Sequence, residues 1–403
     1  MWPFEVVLMI YALKILVFLC VSAIRKQKEG NLSGNGKSGR AVTIILPMYN
    51  EEKVIVNTIQ NLLGVDYDDY SIIVVDDGST DDSCLLVDTH FSANLRVKLL
   101  RQSNAGKSAA LNRALKESTS EIIVTVDADT WVRPDAIRNI VAYFSREEVA
   151  AVAGHITVGN RMNLLTEMQY YEYLAIWDND RAFSDRVNGI LIVPGALAGY
   201  RRTAVNAVGG FKSEVIAEDT ELTLRLLYNN YILRNAANAV GCTEAPDNLK
   251  MFFRQRVRWT TGLAQGLVMH NRGLFTHSNK WLAGLILPYT WSVRVIFPFL
   301  LPLVDYYFIY TYFFLKEYAA LAWWSSMILT EAFTNVYLLT RYGERVGLLK
   351  TIALQRLYRH LLFCNYWLIF AKGINGTLFR WDKIPRKGSV RMEMEAEKNN
   401  QSI

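Results

Sequence analysis

Residues 121–129 read Glu-Ile-Ile-Val-Thr-Val-Asp-Ala-Asp, an apolar run that ends in two acids. The β-branched and aliphatic residues of this run are typical of a strand buried in a parallel sheet. A second apolar run, residues 72–75, is followed at once by Asp76 and Asp77. Carboxylates just beyond the C-terminal ends of such strands lie in the crevice where open α/β sheets bind ligands. The two stretches therefore predict a carboxylate-lined ligand site at one edge of an α/β sheet.

Strand and helix patterns alternate on both sides of these two stretches. Short apolar runs predict strands, and longer periodic segments between them predict helices. The predicted strands cover residues 42–46, 72–75, 97–100 and 122–126, and the predicted helices cover 51–64, 80–91 and about 106–117. Such alternation predicts an α/β fold with a doubly wound, mostly parallel sheet and helices on both faces.

Both ends of the chain are more apolar than its middle. The chain has 403 residues, of which 51% are hydrophobic, so we expect more than one structural unit. Residues 3–24 are long enough to cross a bilayer, and the basic residues that follow them favour an uncleaved anchor over a signal peptide. Further candidate spans lie within 281–314, 319–340 and 356–374, and we expect one of these segments to be interfacial.

These patterns predict five regions. They are an N-terminal transmembrane anchor at 1–28, a linker at 29–40, a cytosolic domain at 41–275, transmembrane and interfacial helices at 276–380, and a basic then polar tail at 381–403. Basic residues beside apolar segments favour the cytoplasmic side of a membrane, so we interpret those of the tail, including Arg386 and Lys387, as topology anchors. The sequence thus predicts a multi-pass protein of the cell membrane.

Charge and cysteine content exclude other classes of protein. The formal charge is +6, and no run of Lys and Arg is long enough to suggest binding to nucleic acid. The four cysteines are scattered without paired spacing, which argues against a disulfide framework or a zinc site.

Polar residues in three loops are candidates for ligand binding. Asp127 and Asp129 can both face one hard cation that also binds substrate phosphates, although acids are frequent in turns. The loop that includes Tyr49, Asn50 and Glu51 is placed to hold a ring and a ribose, or else Asn50 is an ordinary helix cap. Lys107 precedes a predicted helix, where backbone amides and a lysine attract phosphate; the alternative is a surface lysine.

Two further clusters, Glu218-Asp219 and Gln255-x-x-Arg258-Trp259, follow later in the chain. Asp219 suits a general base, which needs a carboxylate within reach of an acceptor hydroxyl. The alternative is that Asp219 or Thr220 is a helix cap, since acids stabilise the first helical turn. The second cluster would lie on one face of a helix and grip a diphosphate while stacking a sugar ring. The alternative for that cluster is an amphipathic interfacial helix.

From about residue 41 to 275 the chain resembles the family 2 glycosyltransferases. It is most similar to the membrane-embedded processive synthases of hyaluronan, chitin, cellulose and poly-N-acetylglucosamine. The resemblance rests on an ordered series of motifs: Asp77, Asp127-x-Asp129, Glu218-Asp219 and Gln255-x-x-Arg258-Trp259. It implies the glycosyltransferase A type of α/β fold. One departure is Ala217, where many members of the family carry threonine.

The resemblance also implies roles for the site residues. Tyr49, Glu51 and Asp77 would contact the uridine, and Asp77 would read the uracil. Lys107 would approach the nucleotide and its diphosphate. The remaining roles concern the metal and the acceptor: Asp127 and Asp129 would bind the donor diphosphate through Mg²⁺ or Mn²⁺, Asp219 beside Glu218 would deprotonate the acceptor, and Gln255, Arg258 and Trp259 would hold the diphosphate and the acceptor sugar.

The function that the resemblance implies is inverting, processive transfer from a UDP-sugar, preferably UDP-N-acetylglucosamine, to a growing polysaccharide. The expected partners are this donor, a polysaccharide or lipid-linked acceptor, the bilayer and an accessory membrane subunit. One alternative is a single addition to a polyprenyl phosphate or another lipid. The non-enzymatic alternative is a nucleotide-binding membrane partner of another synthase, but loss of the acids would favour that role and both acid pairs are present.

Overall fold

The computed structural model describes residues 39–174, 178–271, 277–374 and 386–388. The predicted N-terminal anchor and most of the linker therefore lie outside the described residues. One sheet of eight strands organises the first part of the chain. The strands are β1 (Val42–Met48), β2 (Tyr70–Asp76), β3 (Val97–Arg101), β4 (Ile122–Val126), β5 (Trp131–Val132), β6 (Val149–Val158), β7 (Leu197–Arg201) and β8 (Ile232–Thr243).

The sheet is mixed but mostly parallel. Its strand order is β3-β2-β1-β4-β7-β6-β8-β5. The pairs from β3 to β4 are parallel, as is the pair of β6 with β8, whereas β7 and β5 run antiparallel to their neighbours. All five residues of β4 are buried, as expected for an apolar run at the centre of a sheet that is covered on both faces. The predicted α/β class is confirmed.

Helices cover both faces of the sheet. The helices of this region are α1 (Ile55–Leu63), α2 (Ser83–Phe91), α3 (Lys107–Glu117), α4 (Ala136–Val141), α5 (Leu164–Glu172), α6 (Asp178–Arg186), α7 (Arg202–Ala207), α8 (Glu218–Tyr228) and α9 (Leu249–Met269). Because side chains of a strand alternate between the two faces, the core is split into two apolar clusters. Ile44 and Ile72 belong to one cluster, and their neighbours Ile45 and Ile73 belong to the other.

The end of the sheet that carries the predicted acids is set by strand register. Met48, the last residue of β1, pairs with Asp76, the last residue of β2. Strand β4 pairs with β1 on the other side, and Asp127 follows it directly. The C-terminal ends of three adjacent parallel strands thus meet at one edge, as the sequence predicted.

Further helices follow the sheet. They are α10 (Leu287–Thr290), α11 (Phe297–Phe313), α12 (Tyr318–Arg341) and α13 (Leu348–Ile374), with π-helical turns at Leu282–Ile286 and Trp291–Ile296. Large apolar side chains are exposed on the last three helices, for example Phe313, Trp323 and Phe370. Within the described ranges, no helix is both long and apolar enough to cross a bilayer.

Candidate active site

A pocket of about 580 Å³ lies at the C-terminal edge of β1, β2 and β4. It is large enough for a small-molecule ligand. Its lining contains most of the residues that the sequence singled out: Tyr49, Glu51, Asp77, Lys107, Asp127, Asp129, Glu218 and Arg258. These residues come from segments more than 200 positions apart, so the fold brings them together.

Asp77 is buried and holds the loop at residues 104–106. Its carboxylate accepts hydrogen bonds from the side chain of Gln102 at 2.7 Å and from the backbone N–H groups of Ala105 at 2.9 Å and Gly106 at 2.8 Å. Gly78, with φ +74°, allows this loop to approach the end of β2 closely, because a Cβ on Gly78 would lie 2.7 Å from the backbone nitrogen of Asn104. The carboxylate thus anchors the loop that precedes α3 while lining the pocket.

The loop after β1 is shaped by Asn50, which has φ +53°. Its side-chain oxygen accepts a hydrogen bond from the Thr80 N–H at 2.7 Å, and its own N–H donates to the Ser79 hydroxyl at 2.9 Å. Helix α1 begins only at Ile55. The alternative interpretation of Asn50 as a helix cap is therefore wrong; the residue ties the β1 loop to the β2 loop.

The two acids after β4 are both paired with cationic side chains. Asp127 accepts a hydrogen bond from the Lys107 ammonium at 2.6 Å. Asp129, which is 4% exposed, accepts one from the Thr243 hydroxyl at 3.1 Å and forms an ion pair with Arg386 at 3.0 Å. Burial raises the pKa of the Asp127 carboxyl, but Lys107 outweighs burial and holds that pKa below its usual range. Asp127 is thus ionised near neutral pH.

The donor set of these acids suits a hard divalent cation. Both supply carboxylate oxygens to one pocket, and each attracts a positive group in the structure. The described ranges contain no group of three or more His, Cys, Asp or Glu residues that could hold a metal ion by itself. Asp127 and Asp129 therefore fit a metal whose other ligands come from water and substrate phosphates, the arrangement that Mg²⁺ commonly takes.

Lys107 connects the two acid pairs. It is the first residue of α3, and its ammonium lies 2.6 Å from Asp127 and 3.1 Å from Glu218. Burial lowers the pKa of this ammonium, but Asp127 and then Glu218 outweigh burial and raise it above its usual value. The alternative of an ordinary surface lysine is wrong, because Lys107 is a permanent positive charge between carboxylates inside the pocket.

Asp219 lies in the first turn of α8, beside the pocket. Its carboxylate accepts hydrogen bonds from the backbone N–H of Gly195 at 3.1 Å and of Thr220 at 2.7 Å. Burial and then the charge of Glu218 raise its pKa, and Lys107 and the two N–H groups offset only part of that rise. The helix begins at Glu218 and its N-cap is Ala217, so the alternative that Asp219 or Thr220 is the cap is wrong.

The three residues of α9 that were predicted to act together, Gln255, Arg258 and Trp259, have different surroundings in the structure. Only Arg258 of these three lines the pocket. Gln255 is 5% exposed, and Trp259 packs against the core near Tyr173, with ring centroids 6.3 Å apart. We therefore find a pocket-facing guanidinium flanked by two side chains that lie outside this lining.

A buried ion pair behind Trp259 was not predicted. Arg256 lies 2.7 Å from Glu172 of α5, and Glu172 also accepts a hydrogen bond from the Tyr358 hydroxyl at 2.6 Å. The Arg256 guanidinium lies 4.7 Å from the ring centroid of Trp259. The network links α5, α9 and α13 and fixes the register of α9.

Three pocket-lining cations were also not predicted: Arg254, Lys372 and Arg386. Arg386 was interpreted as a topology anchor, and that interpretation is wrong for this residue, because its guanidinium lies in the pocket against Asp129. Sequence separation explains the omission, since Arg386 follows Asp129 by more than 250 residues and shares no local pattern with it.

Part of the sequence is similar to known proteins. Residues 43–209 match the family model for glycosyl transferase family 2. The poly-beta-1,6-N-acetyl-D-glucosamine synthase of Staphylococcus aureus (strain COL) is 28% identical over 222 residues, which are 55% of this chain and 54% of that protein. The Staphylococcus epidermidis protein of the same name is 26% identical over 223 residues, with the same coverage. The chain spans about half the length of the curated relatives it matches.

A solved structure has a similar fold. It is the mannosyltransferase PcManGT from Pyrobaculum calidifontis, in complex with GDP-Man and Mn²⁺, and its TM-score is 0.59 at 22% identity. The similarity covers 86% of this chain and 97% of that one. Together with the family match, it confirms the type of fold that the ordered acids predicted. Residues 43–209 therefore match the glycosyltransferase family that the ordered motifs predicted.

Proposed function

We propose that this protein is an inverting glycosyltransferase that adds sugars from a UDP-sugar to a growing polysaccharide. The observation that carries the proposal is the convergence of two acid pairs on one pocket, with Lys107 between Asp127 and Glu218. One pair suits a metal–diphosphate site, and the other supplies a base with a raised pKa.

The roles proposed for the pocket residues imply one orientation of the donor. Tyr49, Glu51 and Asp77 lie at the ends of β1 and β2, where the nucleoside would sit. The diphosphate would then reach Asp127 and Asp129, which would hold it through Mg²⁺ or Mn²⁺. That cation, when bound, supplies electrostatic stabilisation of the departing diphosphate.

The reaction is a single displacement. An acceptor hydroxyl gives its proton to the Asp219 carboxylate and attacks the anomeric carbon, while the bond from that carbon to the UDP oxygen breaks. Arg258 lines the pocket and is placed to stabilise negative charge on the leaving UDP. Because one displacement inverts the anomeric carbon, an α-linked donor gives a β-linked product.

Three features support a membrane-associated polymerase that uses N-acetylglucosamine. The curated relatives are named poly-beta-1,6-N-acetyl-D-glucosamine synthases. The helices after residue 276 expose many large apolar and aromatic side chains, which suit contact with a bilayer. Trp259, half-buried beside Arg258 on α9, would contact an acceptor chain, whereas Gln255 is buried. We accordingly place a cytosolic catalytic region at 41–275 and membrane-associated helices at 276–380, open to an accessory membrane subunit.

Purified protein in detergent, incubated with radiolabelled UDP-sugars and Mn²⁺, tests the proposal. We expect incorporation from UDP-N-acetylglucosamine into products of many sugars, which size-exclusion chromatography separates from short ones. Asp127→Asn should weaken UDP binding with Mn²⁺ and leave binding without Mn²⁺ nearly unchanged, and calorimetry measures both. A single sugar on a lipid acceptor would support the alternative, a single-addition enzyme. Absence of transfer from every donor would overturn the proposal.

A further inference from the structure

The residues Arg386, Lys387 and Gly388, here called the strap, lie beside the candidate metal site, and Arg386 lines its pocket. The Arg386 guanidinium donates to the backbone carbonyl of Glu244 at 3.1 Å and pairs with Asp129 at 3.0 Å. The strap therefore links the end of β8 to the acid that follows β4.

Backbone contacts hold the strap in this position. The N–H of Lys387 donates to both carboxylate oxygens of Glu244, at 3.0 and 3.1 Å, and the N–H of Gly388 donates to one of them at 3.0 Å. The Lys387 ammonium forms a further ion pair with Asp247. Charge-assisted hydrogen bonds of this kind are stronger than neutral ones, so Glu244 acts as a clamp on two consecutive amides.

Gly388 is required by the geometry of the strap. Its φ is +73°, and a Cβ added there would lie 3.0 Å from the backbone oxygen of Lys53. A residue with a side chain would be strained at this φ and crowded against the β1 loop. The strap is thus built to fit against the pocket at this point.

The Arg386 guanidinium lies against the Asp129 carboxylate oxygen that would hold the cation. Asp129 is buried, and the same carboxylate oxygen already accepts Thr243 and pairs with Arg386. A hard cation binds carboxylate oxygens at a little over 2 Å, so an ion on that oxygen would lie close to a fixed positive charge. Like charges at such a distance in a buried site repel strongly.

We propose that the strap is an autoinhibitory contact in which Arg386 occupies the cation's place on Asp129, so that divalent metal binds only as the strap leaves. The proposal rests on the metal site of the proposed function. Because metal would bind only the open state, a change that weakens the strap raises the open fraction and lowers the apparent Kd for metal, down to the limit set by a fully open site. A donor that arrives with its metal would therefore displace the strap from Asp129 as it binds.

Mn²⁺ affinity without any sugar donor tests the strap directly, by calorimetry on the full chain. Arg386→Gln removes the competing charge, and we expect the Kd for Mn²⁺ to fall roughly 5- to 150-fold, the usual range of such coupling. Gly388→Ala keeps that charge but strains the strap, so it should lower the Kd in the same direction. Arg138→Gln, which removes an exposed ion pair with Asp66, is the matched control and should leave the Kd unchanged.

Hydrogen exchange gives a second readout that does not depend on charge. Saturating Mn²⁺ should speed exchange of the Lys387 and Gly388 amides, because their hydrogen bonds to Glu244 are then released. Unchanged or weaker Mn²⁺ binding by Arg386→Gln would overturn the strap while leaving the metal site intact. Absence of Mn²⁺ binding in the wild type and in every variant would overturn both the strap and the metal site of the proposed function.

Discussion

Replacing Asp219 by asparagine separates its chemical role from its structural one. The carboxylate accepts two backbone hydrogen bonds, from Gly195 at 3.1 Å and from Thr220 at 2.7 Å. Asparagine keeps one accepting oxygen, so its NH₂ group must face the other N–H. Leaving one N–H without its acceptor costs about 1–3 kcal/mol, which is less than the total stability of an ordinary domain, about 5–15 kcal/mol. We expect the variant to fold.

Turnover by Asp219→Asn should fall much further than its stability. The amide cannot take the acceptor's proton, and a positioned general base contributes about 10²- to 10⁴-fold to a rate. UDP affinity should stay close to that of the wild type, because Asp219 lies outside the lining of the donor pocket. Initial rates of UDP release measure the first effect, and calorimetry with UDP measures the second.

Asp88→Asn provides the matched control for Asp219→Asn. It makes the same chemical change in an exposed acid on α2, whose partner is Arg101. Its turnover and UDP affinity should equal those of the wild type. Near-normal turnover by Asp219→Asn would refute the assignment of the base. Loss of UDP binding at normal stability would instead show that Asp219 positions the donor.

Three other predictions concern the pH dependence of activity, a buried ion pair and the packing of α9. Burial and the charge of Glu218 raise the pKa of Asp219, so kcat/KM should fall as the pH drops through a value above about 4, the usual pKa of aspartate. Glu218→Gln removes the neighbouring charge and should move this fall in kcat/KM to lower pH. Arg256→Gln should cost about 3–5 kcal/mol in urea unfolding, because it leaves the Glu172 carboxylate buried without its cation; a loss below 1 kcal/mol would contradict this. Gly262→Ala should cost about 1–3 kcal/mol by overpacking, seen as a lower Tm, and unchanged Tm would show that α9 can shift freely.

Strands β1 to β4 were predictable because short apolar runs mark them, whereas β5 to β8 were not predicted. The predicted strand over residues 122–126 matches β4, and the other predicted strands extend by only one or two residues at their ends. The helix predicted from residue 51 begins later, at Ile55, because Asn50 turns the chain into a loop bound to residues 79 and 80. A helical pattern in the sequence does not predict such a turn, because the turn depends on hydrogen bonds between Asn50 and residues that follow the next strand. Local patterns thus gave the elements, and their ends depended on long-range contacts.

The candidate site was predictable where its residues follow strands or begin helices. Asp77, Asp127 and Lys107 stand at such positions, so topology alone places them at one edge. The Glu172–Arg256 pair and Arg386 were not predictable in the same way, because each joins segments that are far apart in sequence. The sequence alone does not show that a charged residue is buried when its ion-pair partner is distant in sequence. The sequence therefore supplied the reacting groups and the structure supplied the contacts that position them.

Ala217, the departure from the family pattern, has a physical explanation in helix packing. A Cβ added to Gly262 of α9 would lie 2.5 Å from the Cβ of Ala217, so the two residues face each other at close range. Threonine at position 217 would add two heavy atoms near this contact, whereas alanine and glycine let α9 approach the start of α8. Asp219 stands two residues after this contact and Arg258 one turn before Gly262. The small pair therefore sets the distance between the proposed base and the guanidinium that faces the leaving group.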